Sequence, residues 1–267
     1  MKIISSQDNQ FIKLASSLKH KKYRDAQGLF LVEGRRAVAE ALDKPELVQA
    51  VFQEQGMAED SSDCSRAEGW ADCFMIEPRL MKYICNTEEP QGIAALVKKP
   101  VWSWEAVVNQ RGMLVLLDRI SDPGNLGSIL RTCWAFDVGG VLLSPGCVDP
   151  FNPKVVRSTM GAILDVPVFS DVSAEQCNNL ERAGYQFMST DIGGGDVYSA
   201  VKYRLPLVII FGSEAWGVSE DLKKRCKIFT YIPMNPQVDS LNVAAACAII
   251  VAEARRQFQA GAEMTDL

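Results

Sequence analysis

From Met113 onward apolar residues gather into short unbroken runs, at Met113 to Leu117, Gly140 to Leu143, Phe187 to Ser189, Leu207 to Phe211 and Ile228 to Ile232. A run without polar alternation predicts a strand covered on both faces, the habit of a parallel sheet flanked by helices. Between these runs a helical spacing of apolar positions predicts helices at Leu126 to Phe136, Lys154 to Met160, Ala174 to Ala183, Glu220 to Arg225 and Leu241 to Gln257. The first hundred residues carry shorter elements. Helical patterns cover Asn9 to Leu18, the stretch after Gly34 through Leu42, and Pro78 to about Cys85; β-like runs cover Leu29 to Val32, Val48 to Phe52, Cys73 to Ile76 and Gly92 to Val97. The segment Lys98 to Trp104 interrupts the pattern with Pro100 and polar residues. The expected fold class is therefore α/β: a small N-terminal α/β or α+β domain over 1–100, a linker over 101–111, and a parallel-sheet domain over 112–267. Ligands of open α/β sheets sit outside the carboxyl ends of the strands, which directs attention to the segments after Leu117, Ser189, Phe211 and Ile232.

Composition narrows the picture. The 267 residues are 48% hydrophobic and 23% charged, a globular balance with enough chain for two cores and none of the bias of long disorder or a coiled coil. The longest apolar stretches, such as Leu205 to Phe211 and Val243 to Ala252, fall short of the ~18 to 20 residues that span a bilayer. The first residues show no signal-peptide pattern, so a cytoplasmic location is expected. Eight scattered cysteines without a CxxC pair read as free thiols. A single histidine, His20, leaves no material for a Ser-His-Asp triad or a multi-histidine metal site, and no metal is expected. The net charge of −5 offers no whole-chain argument for nucleic acid. Locally, Lys13, Lys19, Lys21, Lys22, Arg24, Arg35 and Arg36 stand against only Asp25 and Glu33, with His20, Tyr23 and Phe30 interleaved. That stretch reads equally as a phosphate-binding face or as a solvated helix and its loop.

Three constellations follow predicted strand ends. The first runs from Leu117 to Arg131, where Asp122-Pro123-Gly124-Asn125 has turn chemistry, Asn125 is placed to cap a helix, and Arg131 lies six residues further on. It is neither a GxGxxG dinucleotide loop nor a phosphate loop. The second, Phe211-Gly212-Ser213-Glu214-Ala215-Trp216-Gly217, ends a buried strand with a glycine that permits close backbone approach and an acid at the sheet's carboxyl edge. The third is a proline-rich loop from Ile232 leading through Ser240-Leu241-Asn242 into a helix of very small residues, with Ser240 its expected N-cap.

In this order the three segments, N-x-G-x-x-x-R, G-S-E-x-x-G and S-L-N-V-A-x-A, resemble motifs one, two and three of the SpoU (TrmH-like) RNA methyltransferases of the SPOUT superfamily, over roughly Met113 to Glu253. The run Ser5 to Leu42, with Lys13, Leu18, Lys22, Arg24, Phe30 to Gly34 and Arg35, resembles the L30e-like substrate-binding domain of many members. The resemblance implies a deep trefoil knot, a homodimer with the site completed across its interface, and transfer of a methyl group from S-adenosylmethionine to an RNA ribose 2′-hydroxyl. It makes Arg131 the matching catalytic residue. Arginine is always protonated, which favours positioning and electrostatic stabilisation of the ribose oxygen over proton abstraction. Glu214 would hold that guanidinium or share its field, while Asn125, Ser240 and Asn242 orient the parts. Thr190, Gly212, Ile232, Met234 and Leu241 match the cofactor-binding positions. Lys21, Lys22, Arg24, Arg35 and Arg36 are the expected RNA contacts.

Ribosomal RNA, and 23S RNA in particular, is the preferred substrate by analogy of the extra domain. The competing readings are a transfer-RNA 2′-O-methyltransferase, a knotted RNA-binding or assembly factor without catalysis, and a base-modifying enzyme. An oxidoreductase is disfavoured by the missing glycine fingerprint.

Overall fold

A computed structural model describes residues 2–56, 63–191 and 194–263. The chain divides into two compact units, one of residues 1–101 and 151–164, the other of 102–150 and 165–267.

Unit 1 begins with β1 (Lys2–Ile4), α1 (Gln10–Ser17), α2 (Lys21–Gln27), β2 (Leu29–Glu33), α3 (Arg35–Leu42) and β3 (Val48–Glu54). It continues with α4 (Asp63–Ala67), β4 (Asp72–Ile76), α5 (Pro78–Ile84) and β5 (Ile93–Lys98). Its mixed sheet runs β1-β4-β3-β5-β2, with β5 antiparallel to both neighbours. The core under α1 and α5 gathers Ile12, Leu18, Phe52, Phe74, Leu80 and Ile84. The corner between α1 and α2 is locked by Arg24, only 3% exposed, whose Nη1 donates to the carbonyls of Leu18 and Lys19 at 2.8 and 2.9 Å. Gly34 enters α3 at φ +92°, and a Cβ there would meet Gln91 Oε1 at 2.9 Å, so the turn requires glycine.

Unit 2 comprises α6 (Trp104–Asn109), β6 (Met113–Asp118), α7 (Pro123–Ala135), β7 (Gly140–Leu143), β8 (Val168–Phe169), α9 (Ala174–Arg182) and β9 (Gln186–Thr190). After these come β10 (Asp196–Val197), β11 (Leu207–Gly212), α10 (Glu220–Lys223), β12 (Ile228–Tyr231) and α11 (Val243–Glu263). Its seven strands are all parallel, in the order β10-β12-β9-β11-β6-β7-β8. β6 is buried along its whole length, which is why its sequence lacks alternation. β6 hands the chain to β7 and β8 on one side, while β9, β11 and β12 lie on the other, so a topological switch point falls beside β6.

The α8 helix (Pro153–Thr159), expected within the second domain, belongs to unit 1, where Phe151 packs against Phe30 with ring centroids 5.0 Å apart and Lys99 Nζ sits 4.8 Å from the Phe151 centroid. The stretch expected as a linker contains α6, whose Val107 and Val108 are buried. Among the described residues no helix is long and apolar enough to cross a membrane.

Candidate functional site

Strand register places the site. β11 pairs with β6 so that Gly212 lies opposite Asp118, and β12 pairs with β9 so that Thr230 lies opposite Thr190. The ends of four strands thus form one edge, over which the loops after β6, β9, β11 and β12 meet.

Asp118, which sequence reasoning passed over, ties the loops after β6 and β11 to the loop after β7. It is buried, and its carboxylate accepts from Ser144 Oγ at 2.9 Å and from the Ser219 peptide N–H at 2.7 Å, with Arg119 Nη2 at 3.4 Å. An acid closing an unbroken apolar strand is the one signal that marks it, since a carboxylate is buried only when well partnered.

The loop after β11 is a closed turn. The Gly217 N–H donates to the Ser213 carbonyl at 2.8 Å, the Trp216 N–H donates to Ser213 Oγ at 3.2 Å, and Gly217 takes φ +62°. A Cβ on Gly212 would lie 2.0 Å from the Gly217 carbonyl carbon. Glycine at 212 is therefore demanded already by the chain's own turn, a reason the sequence did not offer.

Two helix starts differ from expectation. Asp122 is the N-cap of α7, accepting from the Asn125 N–H at 2.8 Å, with Pro123 at the first helical position. At α11 the cap is Asn242, whose Oδ1 accepts from the Ala244 and Ala245 N–H groups at 3.0 and 3.3 Å, rather than Ser240. Asn125 and Asn242 are thereby free at their other atoms for one another. Asn242 Nδ2 donates to Asn125 Oδ1 at 2.8 Å and to Glu214 Oε1 at 3.1 Å; Asn125 Nδ2 donates to the same Glu214 oxygen at 3.1 Å, and the Val243 N–H reaches it at 3.4 Å. One residue from each of the three motifs thus joins a single cluster. Among the described residues Glu214 binds these two asparagines and the Val243 N–H, and it does not hold the Arg131 guanidinium of its own chain.

Two clefts flank the cluster. The first, about 140 Å³, is lined by all five expected cofactor residues, Thr190, Gly212, Ile232, Met234 and Leu241, together with Ser240 and Glu214. Its remaining wall is largely apolar, with Phe211, Val243 and Ile250, and Asp191 at its edge is paired with Lys223 at 3.0 Å. That carboxylate holds the Lys223 ammonium above the usual lysine range. Thr190 Oγ1 donates to the Ile210 carbonyl at 2.9 Å. The second cleft, about 410 Å³, shares Ser213, Glu214 and Val243 with the first and is otherwise lined by Arg119, Asp122, Asn125, Gly146, Trp216 and their neighbours. Burial pushes the nearby Cys147 thiol up, and its Sγ donates to the Leu117 carbonyl at 3.3 Å, so it is no thiolate nucleophile at neutral pH.

Arg131 stands apart. It is exposed on α7, lines neither cleft, and among the described residues makes no hydrogen bond or ion pair. Of the five expected RNA contacts, Lys21, Lys22, Arg35 and Arg36 are exposed in unit 1. Lys21 pairs with Asp25 at 2.5 Å. Arg24 is spent on the α1–α2 corner and is buried, which removes it from any phosphate-binding role.

Residues 112–252 match the model of the SpoU rRNA Methylase family, and residues 9–95 match the MRM3-like substrate binding domain. The chain is 33% identical to the 23S rRNA (guanosine(2553)-2′-O)-methyltransferase RlmP of Bacillus subtilis, covering 94% of this chain and 98% of that protein. It is 27% identical to the mitochondrial rRNA methyltransferase 3A of Danio rerio, over 94% of this chain and 69% of the relative. The crystal structure of an AdoMet-bound rRNA methyltransferase from Sinorhizobium meliloti superposes with a TM-score of 0.83 at 28% identity, covering 96% of this chain and 97% of that one.

Proposed function

The chain belongs to the SpoU rRNA methylase family, and on that premise we propose that it transfers a methyl group from S-adenosylmethionine to a ribose 2′-hydroxyl of 23S ribosomal RNA. The observation that carries this reading is the convergence of Thr190, Gly212, Ile232, Met234 and Leu241 on one cleft, joined through Glu214 to a second, wider cleft open to a macromolecule.

The first cleft fits S-adenosylmethionine in its chemistry. Apolar side chains of Ile232, Leu241 and Val243 suit an adenine ring, while strand-end backbone and Ser240 offer hydrogen-bonding groups for ribose and amino-acid parts. When bound, that cofactor supplies a methyl group on a sulfonium, already an electrophile. What remains for the protein is to align the ribose oxygen and to stabilise the negative charge it takes on as its proton passes to water and the methyl group leaves the sulfur. Arg131 supplies the fixed positive charge for that oxygen. Its guanidinium cannot accept the hydroxyl proton at neutral pH, so its work is positioning. The Glu214, Asn125 and Asn242 cluster fixes the wall between the two clefts.

Arg131 reaches neither cleft of its own chain, and Trp134, one turn along α7, is 39% exposed. Both facts support a homodimer in which Arg131 of one subunit completes the site of the other. The reading also includes the knotted path and a cytoplasmic location, the latter supported by the ribosomal substrate of the Bacillus subtilis relative.

Labelled methyl transfer to an unmodified 23S rRNA transcript tests this. Arg131→Ala is expected to keep S-adenosylmethionine affinity and lose at least about 100-fold in turnover, the scale of one lost charge-stabilising group. Mixing Arg131→Ala subunits with subunits whose cofactor cleft is blocked should restore activity. Full turnover by Arg131→Ala alone would overturn the assignment.

A further inference from the structure

We propose that the second cleft is a nucleotide subsite in which Arg119 takes a phosphate of the RNA and Trp216 stacks on a base beside the ribose to be methylated. The inference rests on the reading of the chain as an RNA ribose methyltransferase and adds two residues that read the substrate.

Arg119 is the one basic residue among those lining the cleft. It sits immediately after β6 with φ +58°, a left-handed backbone that an arginine adopts at some cost. The loop enforces that conformation. The Arg119 N–H donates to Ser144 Oγ at 3.0 Å, and the same Ser144 hydroxyl donates to Asp118. The guanidinium itself is only loosely engaged. Its Nη2 lies 3.4 Å from both Asp118 Oδ2 and the Gly217 carbonyl, and its buried Nε has no hydrogen-bond partner among the described residues. The side chain is 39% exposed. With Nε buried, the donors left for an incoming acceptor are those of the two Nη groups, held only by two long contacts, and a phosphate is the common acceptor of that geometry.

Trp216 is 77% exposed, the most accessible tryptophan of the chain among the described residues, and it rides on the closed turn between Ser213 and Gly217. A large aromatic face held in water by a fixed turn is a ready stacking platform, because every base presents a π-face to it. The acids Asp122 and Glu214 also line the cleft. They disfavour a simple anion and favour a ligand that brings donors along with its phosphate, as a nucleotide does. Since Glu214, Ser213 and Val243 belong to both clefts, whatever occupies the second lies beside the first.

The test is retention of an unmodified 23S rRNA transcript on filters, over a series of salt concentrations, by the full-length protein and its Arg119→Ala, Trp216→Ala and Trp216→Phe variants, with S-adenosylmethionine binding measured by calorimetry in parallel. Expected are RNA affinity at least about fivefold weaker for Trp216→Ala, largely recovered in Trp216→Phe, and a salt slope lower by about one for Arg119→Ala, as for one lost phosphate contact. Cofactor affinity should stay unchanged in all three. RNA affinity and salt slope equal to wild type would overturn the subsite. If Arg119→Ala disturbs the loop and loses cofactor binding as well, Trp216→Ala still decides, because its side chain is exposed and its removal leaves packing intact. RNA retention is read independently of turnover, so a wild-type protein that forms no 2′-O-methylnucleoside defeats the proposed activity without touching this result.

Discussion

At the scale of single residues, Asn242 carries two roles at once. Its Oδ1 caps α11 and its Nδ2 bridges Asn125 and Glu214. Asn242→Ala removes both, and the lost cap alone should cost about 1 kcal/mol of stability. Asn242→Asp keeps a capping oxygen but sets a second carboxylate against Glu214, so it should hold the thermal midpoint better than alanine while weakening S-adenosylmethionine binding. Thermal unfolding and calorimetric titration of both variants check this; equal midpoints for the two would deny the cap its weight. The residues of this cluster were legible in the sequence because three motifs at strand ends announced them. Asp118 was not, because its partners Ser144 and Ser219 lie 26 and 101 positions away and no local spacing records them. Arg24 misled for a related reason: a basic residue in a basic stretch looks solvated, and only the fold shows its guanidinium closing a corner over two carbonyls.

At the scale of elements, the long buried strands were readable and the short ones were not. β6 and β11 announce themselves as unbroken apolar runs, whereas β8 and β10 are two-residue strands at the sheet margins, too short for any period to show. The α2 helix hid in the charged stretch for lack of an apolar stripe; it is held by Asp25, which accepts from Lys21 at 2.5 Å and from Lys99 at 2.7 Å. Those two ammonium groups lower the Asp25 carboxyl from 3.8 to about 2. A carboxyl depressed in the folded state stabilises above its unfolded value and loses that contribution as pH falls through the folded one. Asp25 and Lys21 are largely exposed, so screening keeps the contribution of their pair under about 1 kcal/mol. Asp25→Asn should therefore melt slightly below wild type at pH 5 to 7, and the gap should close between about pH 4 and pH 2. A gap independent of pH in a series of melts would show that charge is not its cause.

At the scale of the whole molecule, two units with separate cores were expected from the change in pattern near residue 100, but the excursion of residues 151–164 into unit 1 was not. An amphipathic helix such as α8 looks the same whichever core receives it, and only contacts such as Phe151 on Phe30 assign it. Phe151→Ala should cost about 2 kcal/mol, less than a fully buried phenylalanine because this one is half-buried. Hydrogen exchange should then quicken at the amides of β2 and β5 and stay unchanged at β6 and β11; an even increase over both sheets would contradict the assignment. The central claim, methylation of a ribose rather than a base, has its most direct test in alkaline hydrolysis of 23S rRNA labelled by the protein with S-adenosylmethionine. A 2′-O-methyl group blocks cleavage at its own phosphodiester, so the account predicts that the label emerges in an alkali-resistant dinucleotide. Label recovered in mononucleotides would place the methyl group on a base and contradict it.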